Sequence, residues 1–310
     1  MTPSLVSIII PCYNAEAWVA QTLESALAQT WPHKEIILVN DGSRDGSLDV
    51  ARRFEARGVQ VVDQPNRGAS AARNHGLRLA RGDFIQFLDA DDLLAPDQLA
   101  LQMAVFAEEG PDVLVSGLWG RFSRDPAQAD FVPQAVAAAR SGVEFLQLHY
   151  ETGSMMQPGA WLASRALLDH AGPWDETLSL NDDGEYFARV MLAAKRLVHV
   201  PSARCFYRSG LSTSLSRRSD RKSLLSLYRS VELTVTHLLQ ADNSPRTQAA
   251  CADAWMRVAF EIYPDLPEQA RTAEQNSRAL GGPRRPMPGS GRFQLAARFL
   301  GWRLARRLFR

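Results

Sequence analysis

Along the first third of the chain, continuous apolar runs alternate with stretches whose apolar residues recur every three or four positions. "LVSIII" (5–10) is β-branched and stops at Pro11, which predicts a buried strand. "EAWVAQTLESALAQ" (16–29) has helical spacing, and "KEIILVN" (34–40) reads as a second strand. "LDVARRFEAR" (48–57) predicts a second helix ended by Gly58, followed by a third strand, "VQVVD" (59–63). "ASAARNHGLRLA" (69–80) predicts a third helix and "DFIQFLD" (83–89) a fourth strand. Strands alternating with helices predict right-handed βαβ units. The expected architecture is a Rossmann-like three-layer α/β/α with a mostly parallel central sheet.

Beyond Pro96 the pattern predicts another helix and a fifth strand, "DVLVSGLWG" (112–120). Residues 121–160 are less regular. "SRALLDHAG" (164–172) and "DGEYFARVMLAAKR" (183–196) have helical spacing, and "LVHVPSARCFYR" (197–208) reads as one strand or two. A Ser/Arg-rich stretch (209–223) and two or three helices (221–263) follow. "GGPRRPMPGSG" (281–291) reads as a linker without packing capacity. These shifts divide the chain into a body (1–215), a helical extension (216–280) and a linker with a basic tail (281–310).

Composition changes this picture little. The chain has 310 residues, 45% hydrophobic and 22% charged, as expected of a protein with a real core. The net charge of +1 gives no nucleic-acid signal. Its distribution is uneven: residues 281–310 hold eight Arg and no acid. Removing those eight from the 35 basic residues leaves 27 against 34 acidic ones. Cys12, Cys205 and Cys251 lie far apart with no C-x-x-C spacing, which disfavours a disulfide framework or zinc site and suggests a reducing compartment. The opening "MTPSLVSIIIPCYN" has no basic n-region and only a short apolar run, so neither a signal peptide nor a membrane span is expected there.

The chemistry concentrates in "FIQFLDADDLLAP" (84–96), where a strand ends in Asp89, Asp91 and Asp92. Ligands of such sheets sit at the carboxyl ends of strands. Asn14, Asp41, Asn66 and the acid cluster all follow strand ends and should converge on one edge. Capping a helix N-terminus uses one or two acidic side chains, not three. Hard oxygen ligands at alternate positions suit Mn²⁺ or Mg²⁺, with few protein ligands leaving room for a diphosphate. "DGSRDGSLDVAR" (41–52) begins like a calcium loop but has Arg52 where a bidentate Glu is required. A D-x-D phosphatase would normally place its pair after the first strand; here it follows the fourth.

"SIIIPCYNAEAWVAQTLESALAQTW", "IILVNDGSRDGS" and "NRGASAARNHGLRLARGDFIQFLDADD" occur in that order and resemble family 2 glycosyltransferases of the GT-A fold. The likeness is close over about residues 4–120 and looser over 150–210. It implies a catalytic domain (1–215) with a nucleotide-sugar half (about 1–120) and an acceptor half (about 121–215). By resemblance, Pro11, Tyr13 and Asn14 line the base and ribose of a nucleotide-sugar donor, with Glu16 assisting. Asp41 would accept from the base; Asn40 stands where many relatives have Asp. Arg67, Gly68 and Arg73 would lie close to the nucleotide. Asp89 would contact ribose or the metal shell, and Asp91 would bind Mn²⁺ or Mg²⁺ on the diphosphate. By resemblance, uridine diphosphate is the default nucleotide, with guanosine and thymidine as the alternatives.

Transfer to a hydroxyl also needs a base. "LNDDGEYFAR" (180–189) offers Asp182, Asp183 and Glu185. If Asp182 is the N-cap, Glu185 completes a capping box and Asp183 is left over. The family's base belongs to an acidic pair six residues before an Arg, the spacing of Asp183 and Arg189. Asp183 is the expected base and Asp182 the runner-up. Trp161 and Trp174 flank this region as candidates for stacking on a sugar. Neither a Q-x-x-R-W motif nor a membrane span accompanies them, which favours transfer of a single sugar. The acceptor class is a sugar, lipid-linked or protein hydroxyl, in the synthesis of cell-surface polysaccharide, glycolipid or glycoprotein.

Other functions fit less well. A nucleotidyltransferase would want a Gly-rich basic loop after the first strand, and "PCYNAEAW" (11–18) has no Gly, Lys or Arg. A dehydrogenase would want G-x-G-x-x-G there. A degenerate nucleotide-binding scaffold would be expected to lose acids that are all present. The tail "GRFQLAARFLGWRLARRLFR" (291–310), drawn as one helix, aligns Phe293, Ala297, Leu300, Leu304 and Leu308. It would lie in the plane of an anionic membrane or dock on its own domain. The expected location is cytoplasmic, peripheral at the inner membrane face.

Overall fold

A computed structural model describes residues 4–210, 220–286 and 289–309. The centre of the Ser/Arg-rich stretch, 211–219, and Arg310 lie outside the described residues. β1 (Val6–Cys12) runs at the heart of an eight-stranded sheet and is buried along its whole length. β2 (Lys34–Asp41) and β4 (Phe84–Phe87) flank it in parallel, and β3 (Val59–Gln64) pairs in parallel with β2. β1 continues through Pro11 rather than stopping there. Its β4 ladder ends at Ile9, so Pro11 keeps only the β2 neighbour, where a missing N–H is tolerated.

Residues of alternate parity separate two cores. Ile8, Ile10, Ile36, Leu38 and Phe84 meet α1 (Val19–Leu27), α2 (Ser47–Arg52) and α4 (Gln98–Glu109). Ile9, Ile37, Val39, Ile85 and Phe87 face α3 (Ala69–Leu79) and the helices of the second half. This is the period-two rule of strands acting on a sheet buried on both faces, and it makes the three layers.

Beyond β4 the sheet becomes mixed. β7 (Trp161–Ser164) is antiparallel to β4 and to β6 (Val113–Phe122); β8 (Arg196–Arg208) is parallel to β6, and β5 (Leu93–Leu94) is antiparallel to β8. The order is β3-β2-β1-β4-β7-β6-β8-β5, with four parallel ladders and three antiparallel. β8 is one strand whose register slips opposite Gly117/Leu118. A Cβ on Gly117 would stand 2.4 Å from the Ala203 carbonyl oxygen, so only glycine fits beneath this bulge.

The irregular region holds a helix the periodicity did not predict, α5 (Gly142–Thr152). α6 (Arg165–Ala171) and α7 (Asp182–Ala193) follow. α8 (Arg221–Ala241), α9 (Pro245–Ile262) and α10 (Pro267–Ala279) share one core with α5–α7. The expected linker is tied down: the backbone N–H groups of Arg284 and Arg285 donate to Asp253 at 2.8 and 3.1 Å. The tail is not one helix. Gly301, at φ 77°, breaks it into α11 (Gly291–Leu300) and α12 (Trp302–Leu308). Phe293 and Ala305 are buried against Phe260 of α9, and Trp302 packs on Tyr263 and Phe260.

Candidate active site

The first two loops at the carboxyl edge are stapled together. Asn14, at φ 50°, receives a hydrogen bond from the Arg44 N–H at 2.8 Å and donates its own N–H to Ser43. Glu16 accepts from the Gly46 N–H at 3.0 Å and donates its backbone N–H to Asp45 at 3.1 Å. Asp45 also accepts from the Ser47 N–H, so the stretch that began like a calcium loop is a self-bonded turn. Tyr13 stands 38% exposed beside it, and Pro11 is buried in β1.

Asp41, at the end of β2, is 3% exposed. Its Oδ1 accepts from the Arg67 N–H at 2.9 Å and from Gln64; its Oδ2 accepts from the Gly68 N–H at 2.8 Å. Asp41 therefore shapes the turn into α3. Gly68 sits at φ 96° as the N-cap of α3, a conformation that favours glycine, with nothing within 4 Å of where a Cβ would be. Arg67 reaches outward to Glu176 at 2.7 Å.

The inner face of α3 is polar and buried. Asn74 exchanges hydrogen bonds of 2.9 Å with the Trp174 backbone and so holds the loop before α7. Arg73, 5% exposed, donates to Asp89 at 2.8 Å and to Asp182 at 3.0 Å, with its guanidinium 4.4 Å over the Trp174 ring. It lies beneath the site, bridging the acids of the two halves. Ser70 also donates to Asp182 at 2.8 Å.

The three clustered acids have three different fates. Asp89 is paired with Arg73. Asp92 is 1% exposed; its Oδ1 accepts from the Arg208 N–H at 2.8 Å and its Oδ2 faces no donor. Burial, and then the charges of Asp91 and Asp89, raise Asp92 well above its ordinary value, which disfavours its ionised form. Asp91 is half-buried, and no described side chain donates to its carboxylate. Burial, and then the charge of Asp89, push it up to about 6. Among the described residues no three His, Cys, Asp or Glu are grouped to hold a metal. An unpaired hard carboxylate beside a second one fits an ion shared with a ligand's phosphates rather than a resident one.

Arg208 was not singled out from the sequence. Its Nε donates to the Asp91 carbonyl at 2.8 Å, its Nη2 donates to Gln21, and it packs 4.3 Å over Trp18 and 4.4 Å over Phe122. It fixes the turn that carries the acids. An arginine ending a strand gives no local sign of that role.

At α7 the expected capping box does not form. The N-cap is Asn181, left-handed at φ 59°, with no side-chain cap bond. Glu185 instead forms a bidentate pair with Arg189 at 2.6 and 2.9 Å. Asp182 is bound by Ser70 and Arg73. Asp183 is still the acid left over: half-buried, it accepts only from the Gly184 N–H at 2.9 Å. Burial, then Asp182, push it up to about 6, while Arg73 pulls it down. Trp161 and Trp174 are each 2% exposed and stack on Phe187 and Tyr186, so both are core residues rather than sugar platforms.

A family model described as "Glycosyl transferase family 2" matches residues 7–169. The uncharacterised glycosyltransferase EpsJ of Bacillus subtilis is 30% identical over 66% of this chain, which covers 61% of that protein. YibD of Escherichia coli, also an uncharacterised glycosyltransferase, is 40% identical over 35% of this chain and 32% of its own. The chain thus spans between about a third and three-fifths of these relatives. A crystal structure of S. aureus TarS in complex with UDP-GlcNAc superimposes with TM-score 0.65 at 18% identity, covering 91% of this chain and 93% of that one.

Proposed function

The chain belongs to glycosyl transferase family 2 and has the GT-A fold, and on that premise we propose that it transfers a single sugar, with inversion, from a nucleotide-diphosphate sugar to a hydroxyl acceptor. The observation that carries the reading is the division of labour made by Arg73. It pairs Asp89 and Asp182, and leaves one free carboxylate on each side: Asp91 in the donor half and Asp183 in the acceptor half. A divalent ion held by Asp91, with Asp89 beside it, would neutralise the departing diphosphate. Asp183 takes the proton of the acceptor hydroxyl as that oxygen attacks the anomeric carbon. Displacement from the opposite face inverts the centre. Pro11, Tyr13, Asn14, Asp41 and Gly68 form the nucleotide wall. TarS was crystallised with UDP-GlcNAc, which supports uridine diphosphate as the first nucleotide to test. A cell-surface polysaccharide, glycolipid or glycoprotein acceptor is the class proposed.

Thermal denaturation with nucleoside diphosphates, with and without Mn²⁺, tests this. Uridine diphosphate with Mn²⁺ is expected to stabilise by about 2.7 kcal/mol at a hundred times its Kd. Asp91→Asn should lose the Mn²⁺-dependent part. Asp92→Asn should keep it, because Asp92 faces the Arg208 backbone and not the site. No shift with any nucleotide would favour a scaffold protein instead.

A further inference from the structure

Nine large hydrophobic side chains are exposed among the described residues, and six of them lie in the tail: Leu295, Phe299, Leu300, Leu304, Leu308 and Phe309. That concentration is more than the scatter ordinary surfaces show. Docking does not account for it, because each tail helix has two faces. On α11, Phe293 and Ala297 face the body, while Leu295 and Phe299, one turn apart, face away at 61% and 77% exposure. On α12, Trp302 and Ala305 are held, Trp302 donating its indole N–H to Glu274, while Leu304 and Leu308 repeat the outward pair. The docked faces fix both helices, so the outward pairs are presented and not left to fold inward.

Charge selects the occupant. Arg292, Arg298 and Arg307 are exposed on the same helices, and residues 281–310 hold no acid. Arg303 is committed to Glu274 at 2.8 Å, and Arg307 packs 5.5 Å over the Tyr263 ring; none of Arg292, Arg298 and Arg307 is paired with an acid among the described residues. A second copy of this surface would set arginines against arginines, which opposes a symmetric dimer. A surface of anionic lipid offers both an apolar layer and the opposite charge. No described helix is long and apolar enough to cross a membrane.

We propose that α11 and α12 form a rigid two-helix foot that lies on anionic lipid, inserting Leu295, Phe299, Leu304 and Leu308 between headgroups that Arg292, Arg298 and Arg307 contact. This stands independently of the transfer reaction. It differs from a single in-plane helix, since the break at Gly301 and the docked faces hold the foot to the enzyme.

Flotation of the full chain with phosphatidylcholine vesicles, with and without phosphatidylglycerol, tests it. Binding is expected only with phosphatidylglycerol and should fall as salt rises. Arg292→Gln, Arg298→Gln and Arg307→Gln should each weaken partitioning about fivefold, and together about a hundredfold. The combined change Leu295→Ser, Phe299→Ser, Leu304→Ser, Leu308→Ser should abolish flotation while melting temperature and nucleotide-induced stabilisation stay as in the wild type. Equal flotation of that variant overturns the proposal. So does a wild-type dimer in light scattering that the serine variant dissolves, without lipid binding by either.

Discussion

Asp183→Asn is expected to cut turnover by about 10²–10⁴-fold and, at the same time, to raise the stability of the ligand-free protein at pH 8. Both effects have one cause. Burial, and then the charge of Asp182 beside it, push the carboxyl from 3.8 up to about 6. A base with that value is ionised at neutral pH yet takes a proton more readily than an ordinary aspartate. The same shift means that its ionised form is disfavoured by folding. The cost is fully present above pH 6 and absent below the unfolded value of 3.8. Asparagine removes it. Two units would be about 2.7 kcal/mol, and solvent around a half-buried group reduces the expected gain to about 1–2 kcal/mol. The gain should therefore shrink as pH falls from 6 to 4. In the wild type, kcat/KM should fall tenfold per pH unit below about 6. Titrating kcat/KM and following melting temperature against pH on both proteins checks each part. Turnover within about tenfold of wild type would remove Asp183 from the role. Asp182→Asn is the control: it removes the charge that Arg73 pairs with and should lower stability.

Residues 1–120 were legible because their signals are local. "LVSIII", "IILVN" and "FIQF" are buried strands by composition alone, and the acid cluster, "NDGS" and "NRG" stand where such strands must end. Residues 121–215 were less so, for reasons particular residues make plain. Asn181 tolerates a left-handed backbone, which moved the helix start one place and dissolved the expected capping box. Asp183 is left over for a different reason than a cap on Asp182: Asp182 is bound by Ser70 and Arg73, more than a hundred residues away. α5 has a local signal in Ser141 and Glu144: Ser141 caps the Glu144 N–H at 3.2 Å while Glu144 accepts from the Arg140 N–H. β5 and β7, two and four residues long, carry no periodicity to read. The single apolar stripe expected of the tail is split, Phe293 and Ala297 docking while Leu300, Leu304 and Leu308 stay exposed, because one glycine at φ 77° sufficed to turn the chain.

Arg73→Met should produce the largest single loss in stability, about 3 kcal/mol, and should also displace the pH profile of activity. The arginine is 5% exposed and is the only described side-chain cation bonded to Asp89 and Asp182. Breaking a buried pair from one side costs about 3–5 kcal/mol, since the abandoned charge is left without a counterion. The lower figure applies because the Asp89 side chain is 30% exposed and can rehydrate. Asp182, at 14%, cannot do so as well. For a chain of this size the loss corresponds to roughly 5–10 °C in Tm. The second effect reaches the base. Arg73 is what pulls Asp183 down against Asp182 and Asp89. Without it the rise of kcat/KM with pH should begin above 6. Arg73→Lys separates the two roles. Lysine restores a positive charge near Asp183 but cannot offer a planar fork to two acids at once. It should return the pH midpoint towards 6 while recovering only part of the stability. Asp182→Asn added to Arg73→Met should recover stability relative to Arg73→Met alone, a coupling that only directly interacting residues show. If Arg73→Met melts within a degree or two of wild type with an unmoved pH profile, Arg73 does not join the two halves of the site. The division between a carboxylate for the cation and a carboxylate for the proton would then need another origin.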